Sequence, residues 1–285
     1  MKKHLAATAV PEAADTSRST AARTALCFIE AYFSNHIEAT RFLVEEAREI
    51  VFEHVRPGQR PEDGHDVLAT FRQLVELGPR DGPAWRSLRE FEDELRARHA
   101  DLMAARPEAG PGRFKDRRNT AGSTVFVEPR LVPGTLAAGF DLLGSIDAPF
   151  ARAVFVHFLL VDVHPFADGN GRLSRIFMTK EFASAGQCRV VVPTVHRDDH
   201  VGTLRLLGRE GRPDPFVRCM AFCQRVAAAS AAAVEVEVEE AVRVWASTNA
   251  FLEPGDARFR MPAPWAEIVW RKGVPAPAEH WDKAS

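Results

Sequence analysis

The chain has 285 residues, 46% of them hydrophobic and 27% charged, so it can bury roughly 75% of its unfolded surface in one or two domains. A formal charge of −2 leaves no global electrostatic footprint for nucleic acid or an anionic membrane surface. No apolar run approaches the ~20 residues of a spanning helix, and Pro11 and acids stand where a signal peptide would be apolar, so a cytoplasmic protein is expected. Cys27, Cys188, Cys219 and Cys223 are too few and too scattered for a disulfide framework and are expected as reduced core residues.

Residues 1–18 are rich in Ala, Thr and Ser without an apolar period and are expected to form a mobile tail. From Ala21, Leu26, Phe28, Ile29, Tyr32 and Phe33 recur at helical spacing; after a break near Asn35, Phe42, Leu43, Ala47, Ile50 and Val51 mark a second helix, which suggests a helical hairpin. Arg56 to Gly64 reads as a loop, and Asp66 to Leu77 and Ala84 to Ala105 read as amphipathic helices. Between Pro107 and Pro133 the chain changes character, with Gly and Pro punctuation, the basic cluster RFKDRR, expected as a solvated loop, and an alternating run at Ser123 to Val127 that predicts a small β-hairpin.

Thr135 to Leu143 and Ala148 to Val161 are apolar helices, the second apolar nearly all round, as a buried central helix would be. Helices then follow at Asn170 to Ala185, Asp198 to Leu207 and Pro213 to Ala229; Val234 to Glu240 reads as helix from its context, and the Pro- and Trp-rich end from Asn249 as an extended cap. The expected class is mainly α, divided as a tail at 1–18, an N-terminal helical region at 19–112, a core at 113–229 and a C-terminal extension at 230–285.

Chemistry concentrates in HPFADGNGRLSR, His164 to Arg175. Pro165 cannot continue a helix and pins His164 at a helix exit. Gly169 and Gly171 free the backbone to approach a ligand, and Asn170 is expected as the N-cap of a helix whose first N–H groups can face an anion. Arg172 and Arg175, three apart, can add charge-assisted hydrogen bonds to phosphate oxygens, and Asp168 offers a hard carboxylate for Mg²⁺. An EF-hand fails, because Arg175 stands where the bidentate Glu belongs, and no Walker-type GxxxxGK[ST] occurs. His157, in the apolar helix, is expected as a satisfied core histidine, whereas His196 and His200 are kept as candidate contact residues.

These residues resemble the signature of the Fic domain family, HPFx[DE]GNGRxxR, at every specified position, and the likeness extends through Arg113 to Pro129 and Val191 to His200. The resemblance implies a Fic-fold helical bundle with a small β-hairpin flap. It implies a nucleotidyltransferase that uses ATP and Mg²⁺ to transfer AMP to a Ser, Thr or Tyr hydroxyl of a target protein. His164 would be the general base and Asp168 the metal ligand. Asn170 and the amides from Gly169 to Arg172 would stabilise the α-phosphate, with Arg172 on the β-phosphate and Arg175 on the γ-phosphate. Gly171, a Lys in kinase-like members, favours AMP transfer over phosphate transfer.

The flap, Ser123, Thr124, Val125, Phe126 and Val127, would register an extended target segment against His164. Ser34 to Ala39 resembles the inhibitory [ST]xxxE[GN] motif, in which Ser34 and Glu38 are regulatory and Glu38 pairs with Arg175; Ala39 departs from it and would be strained if the helix ends there through a left-handed residue. The same resemblance admits another nucleotide, AMP removal, self-modification and self-association. A non-catalytic nucleotide- or partner-binding module is the rival from another class, and nucleic-acid binding is disfavoured by the charge.

Overall fold

The computed structural model describes residues 12–17, 19–78, 82–122, 124–233, 237–263 and 265. Among them are ten α-helices and one two-stranded antiparallel sheet, a mainly α architecture. No helix among the described residues is long and apolar enough to cross a membrane. The chain forms two compact units, one from the segments up to Ala39 and from Gly186 onward, the other from Thr40 to Ala185. The segments 19–112, 113–229 and 230–285 read from the sequence do not coincide with these units.

In the Thr40–Ala185 unit, α2 (Val44–Phe52) packs on α3 (Pro61–Val75), and α3 and α4 (Leu88–Leu102) both pack on α7 (Asn170–Ser184); α1 (Thr20–Ile37) belongs to the other unit. The expected loop at Arg56 to Gly64 is shorter than predicted, because Pro61 starts α3 at its first helical position, where the missing N–H costs nothing. Leu43, expected on the buried face of α2, is instead its exposed N-cap at 67% exposure; Ala47, Ile50 and Val51 make the buried face. Ser87 caps α4 by accepting the N–H of Glu90.

The apolar helix α6 (Pro149–Val163) is buried along its length and packs most extensively against α7, with α5 (Val132–Leu143) behind it. Gly139 lets α5 close on α6, since a Cβ there would lie 2.4 Å from a methyl of Leu159. Arg152 closes this layer: it grips Glu181 of α7 with two hydrogen bonds and donates to the carbonyls of Leu143 and Ile146. Behind α7, Trp85 stacks on Phe177 and Phe91 meets the same ring edge-on. Lys180 pairs with Glu94 over Trp85. Burial alone would raise the Glu94 pKa, but hydrogen bonds from Lys180 and Arg98 outweigh it and hold the carboxylate below its usual range.

The hairpin is shorter than Ser123 to Val127 suggested: β1 (Thr120–Ala121) pairs antiparallel with β2 (Thr124–Val125), and Phe126 and Val127 lie beyond the strand. Ser123 lies outside the described residues.

In the other unit, α1 (Thr20–Ile37) is capped by Ser19 and buried from Ala25 onward. It packs with α9 (Asp214–Ala233) and α10 (Val238–Ala246), and α8 (Arg197–Glu210) lies on α9. Residues 12–17 do not behave as the expected tail: Ala14 bridges to Gln187, Cys188 N–H donates to Ala13, and Thr16 donates to the carbonyl of Ala228. A buried Arg189–Glu30 pair at 2.8 Å ties α1 to the same segment. All four cysteines are buried in this unit. Helix α1 continues past the predicted break at Asn35 and ends at Glu38, and Ala39 has φ 67, the left-handed conformation in which a Cβ is strained. Helix α10 covers the end of the predicted 234–240 helix, while 234–236 lie outside the described residues, as do 264 and 266–285 of the Pro- and Trp-rich end; Trp265 packs edge-on against Trp245.

Candidate active site

The motif loop leaves α6 where Pro165 forbids another helical turn. His164 takes the left-handed conformation, φ 51 and ψ 61, and its N–H still reaches Leu160 O at 3.0 Å. Its Nδ1 lies 3.1 Å from Val161 O. A carbonyl only accepts, so Nδ1 carries a proton, and in the neutral ring the lone pair is on Nε2. The ring stacks face to face on Phe126, 3.7 Å between centroids, directly after β2.

The structure corrects one detail of the expected helix start. The N-cap of α7 is Gly169, at φ 75, and Asn170 is the first helical residue. The Asn170 carboxamide turns back on the loop: Oδ1 accepts Phe166 N–H and Nδ2 donates to Phe166 O, both at 2.9 Å. It therefore shapes the loop with its side chain. No side chain caps α7, and its first backbone bond runs from Leu173 N–H to Gly169 O, so the N–H groups of Asn170, Gly171 and Arg172 precede the ladder. Gly169 N–H is taken by Asp168 Oδ1 at 2.6 Å, and the Asp168 side chain is exposed. An exposed hard carboxylate beside an uncapped helix N-terminus fits Mg²⁺ carrying a polyphosphate.

Several residues that hold this loop were missed from the sequence. His99, on α4, is wholly buried; its Nδ1 accepts Gly112 N–H at 2.9 Å, so Nε2–H donates to Asp168 O at 3.0 Å. Burial pushes its pKa down to about 4, against the bond to Asp168, and the ring is neutral near pH 7 as it stacks on Phe166 at 3.7 Å. Gly169 is tight against the same helix end, since a Cβ would lie 2.7 Å from Met103 Sδ. A histidine on the stripe of Leu95 and Leu102 was the available signal.

Lys115 corrects the reading of RFKDRR as solvated throughout, being only 6% exposed. Its N–H donates to Pro165 O, and its Nζ donates to Asn119 Oδ1 and Val163 O. Asn119 in turn donates to Phe166 O. Burial pushes the Lys115 pKa down to about 8.

The two motif arginines are both buried. Arg172 Nη1 lies 2.6 Å from Asp66 Oδ2, and Nη2 reaches Met103 Sδ at 3.5 Å. Neither Nε nor Nη1 makes a hydrogen bond among the described residues; a buried donor left so costs about 1–3 kcal/mol. Asp66 also accepts from Arg106, which pairs with Asp63 as well. The core histidine expected at position 157 is one: His157 is buried, and because Ser174 Oγ–H donates to Gly171 O, His157 Nδ1–H donates to that hydroxyl.

His164, Asp168, Gly169, Asn170, Gly171, Arg172, Arg175 and the hairpin thus fall in one compact unit; Ser34 and Glu38, at the end of α1, belong to the other, as do the buried His196 and His200.

Residues 89–181 match the Fic/DOC family model. Over 75 residues, 26% of the chain, the sequence is 41% identical to "Protein adenylyltransferase Fic" of Drosophila persimilis, Drosophila mojavensis and Drosophila melanogaster, and this stretch spans 15% of each of those relatives. Among solved structures, a Fic domain containing signaling protein from Bacteroides thetaiotaomicron matches 76% of this chain and 87% of its own at a TM-score of 0.63 and 19% identity. Fic-1 from C. elegans matches 77% and 63% at 0.58 and 24% identity. The fold is that of these structures, a helical bundle with a small hairpin. Residues 89–181 of the chain are a Fic domain of the Fic/DOC family.

Proposed function

We propose that the protein is an AMP transferase acting on protein hydroxyl groups, with ATP as co-substrate. The observation that carries this reading is the His164 Nδ1 contact to Val161 O, which in the neutral ring leaves Nε2 as the basic nitrogen, on the loop that leads into the uncapped start of α7. In the proposed reaction Nε2 takes the proton of a target Ser, Thr or Tyr. The hydroxyl oxygen bonds to the α-phosphorus, the bond from that phosphorus to the bridging oxygen breaks, and pyrophosphate leaves with its electron pair. The amides of Asn170, Gly171 and Arg172 bind the α-phosphate through the helix start, with Arg172 on the β- and Arg175 on the γ-phosphate. Asp168 would hold Mg²⁺, which supplies charge neutralisation of the polyphosphate. The hairpin would align the target strand, and Phe126, stacked on His164, would couple that alignment to the base.

Restraint by Glu38 belongs to the same proposal and rests on the Ser34-to-Ala39 motif; the left-handed Ala39 suits the helix end that the motif's usual Gly or Asn would make. Tyr32 is buried among Phe33 and Phe251, so self-modification would fall on Ser or Thr.

The test is intact-mass spectrometry of the protein and a lysate after incubation with Mg²⁺ and each nucleoside triphosphate, comparing wild type, Glu38→Gly and His164→Ala. Glu38→Gly is expected to gain AMP adducts and His164→Ala to lose at least about 10²-fold in transfer. No adduct on any protein with any variant overturns the transferase reading.

A further inference from the structure

The proposed phosphate-binding role of Arg172 raises a physical difficulty that its surroundings answer. An arginine that is 3% exposed must have its charge compensated inside the protein, and it must still have a donor to offer a ligand. The compensation comes from Asp66, itself 1% exposed, on a helix outside the matched residues 89–181. The same carboxylate oxygen accepts from Arg106, which is held in turn by Asp63. Two arginines and two aspartates make a neutral cluster between α3, α7 and the end of α4. Within it Arg172 has one nitrogen at Asp66 and a second on the weak acceptor Met103 Sδ. Nε has no acceptor among the described residues, and Nη1, although 2.6 Å from Asp66 Oδ2, makes no hydrogen bond among them either. A buried donor without a partner is uncommon and calls for an explanation.

We propose that Asp66 is the positioning residue for Arg172: the charge of its buried carboxylate orders the guanidinium and leaves N–H donors in reserve for a phosphate oxygen. This inference rests on the nucleotide reading of the motif. A flexible arginine must be ordered when the anion binds, at a cost in affinity; one already gripped by a carboxylate has been ordered by folding. A mere charge effect runs in the opposite direction, because removing a negative charge beside an anion site strengthens anion binding. A tie that only joins α3 to α7 would lower stability and leave the affinity of the folded protein unchanged. The sign of the change therefore separates the three roles.

The experiment measures calorimetric affinity for Mg²⁺·ATP and for inorganic pyrophosphate with the full chain as wild type, Glu38→Gly, Asp66→Asn, Asp66→Glu, Arg172→Lys and the Asp66→Asn/Arg172→Lys double variant. Unfolding midpoints are recorded in parallel. Asp66→Asn is expected to weaken both ligands about tenfold, Asp66→Glu to recover part of the loss, and Asp66→Asn to add less than about twofold once Arg172 is Lys. Where Asp66→Asn fails to fold, Asp66→Glu carries the test, with weakened binding expected from the displaced carboxylate. Unchanged or tighter binding in the folded Asp66 variants, with wild type binding normally, overturns the positioning role and leaves the nucleotide reading standing. Binding of neither ligand by wild type or by Glu38→Gly overturns both.

Discussion

From Val163 to Arg172 the backbone is held at nearly every peptide, whereas the hairpin from Thr120 to Val125 shows two strand pairs among the described residues. Lys115 and Asn119 grip the carbonyls of Val163, Pro165 and Phe166; Asn170 clasps the Phe166 peptide from both sides; His99 takes the carbonyl of Asp168. The hairpin pairs Thr120 with Val125 and Ala121 with Thr124, and Val125 is 66% exposed. A two-stranded ribbon of that length has little stability of its own. On the proposed function the difference would suit two tasks: phosphate chemistry needs fixed donors, while an edge that receives a partner chain gains from open backbone groups.

His99→Ala is the largest test of the rigid side. It strips the partner from Gly112 N–H and Asp168 O and removes the Phe166 stack, and a loss of about 3 kcal/mol is expected in urea unfolding. A loss under about 1 kcal/mol would mean that the loop is held by its other bonds alone. Gly169→Ala meets both a left-handed backbone and the close Met103 sulfur, and should cost about 1–2 kcal/mol in the same measurement.

Lys115 sharpens the comparison through pH. The folded protein releases this proton near pH 8, below the ordinary 10.5, so between those values the unfolded chain binds more protons and stability from this group rises with pH. Below pH 8 both states hold the proton and the contribution is flat. The difference in unfolding free energy between wild type and Lys115→Met should therefore grow in favour of wild type from pH 8 to 10; a flat difference would show that the buried amine is not strained. On the open side, Gly122→Pro cannot keep φ 57 and should open the hairpin. Stability should move by no more than about 0.5 kcal/mol, ATP affinity should stay, and transfer to a protein target should fall. A large loss of stability instead would erase the contrast between the two regions.

The legible parts were those with local causes. Helix α6 was readable from its unbroken apolar run, α4 and α7 from their periods, and the helix exit at His164 from Pro165. Even there, chain ends escaped: Pro61 began α3 inside a segment rich in turn residues, and Gly169, rather than Asn170, became the N-cap because its left-handed φ brings Asn170 into the first turn, facing Phe166. The docking of residues 12–17 beside Gln187 and Cys188 was invisible, since its bonds are backbone bonds to a segment far along the chain.

By itself the sequence determined the helical class and a Gly- and Pro-pinned loop bearing His164, Asp168, Arg172 and Arg175, because helical period, proline geometry and glycine freedom act over a few residues. The tertiary structure decided what each buried polar group answers to. Arg172 met Asp66, Asp168 met His99 and the end of α6 met Lys115, partners 48 to 106 positions away in the chain. A charge or donor removed from water must find its counterpart among whatever helices the packing brings beside it, and that choice is written in no single stretch of sequence.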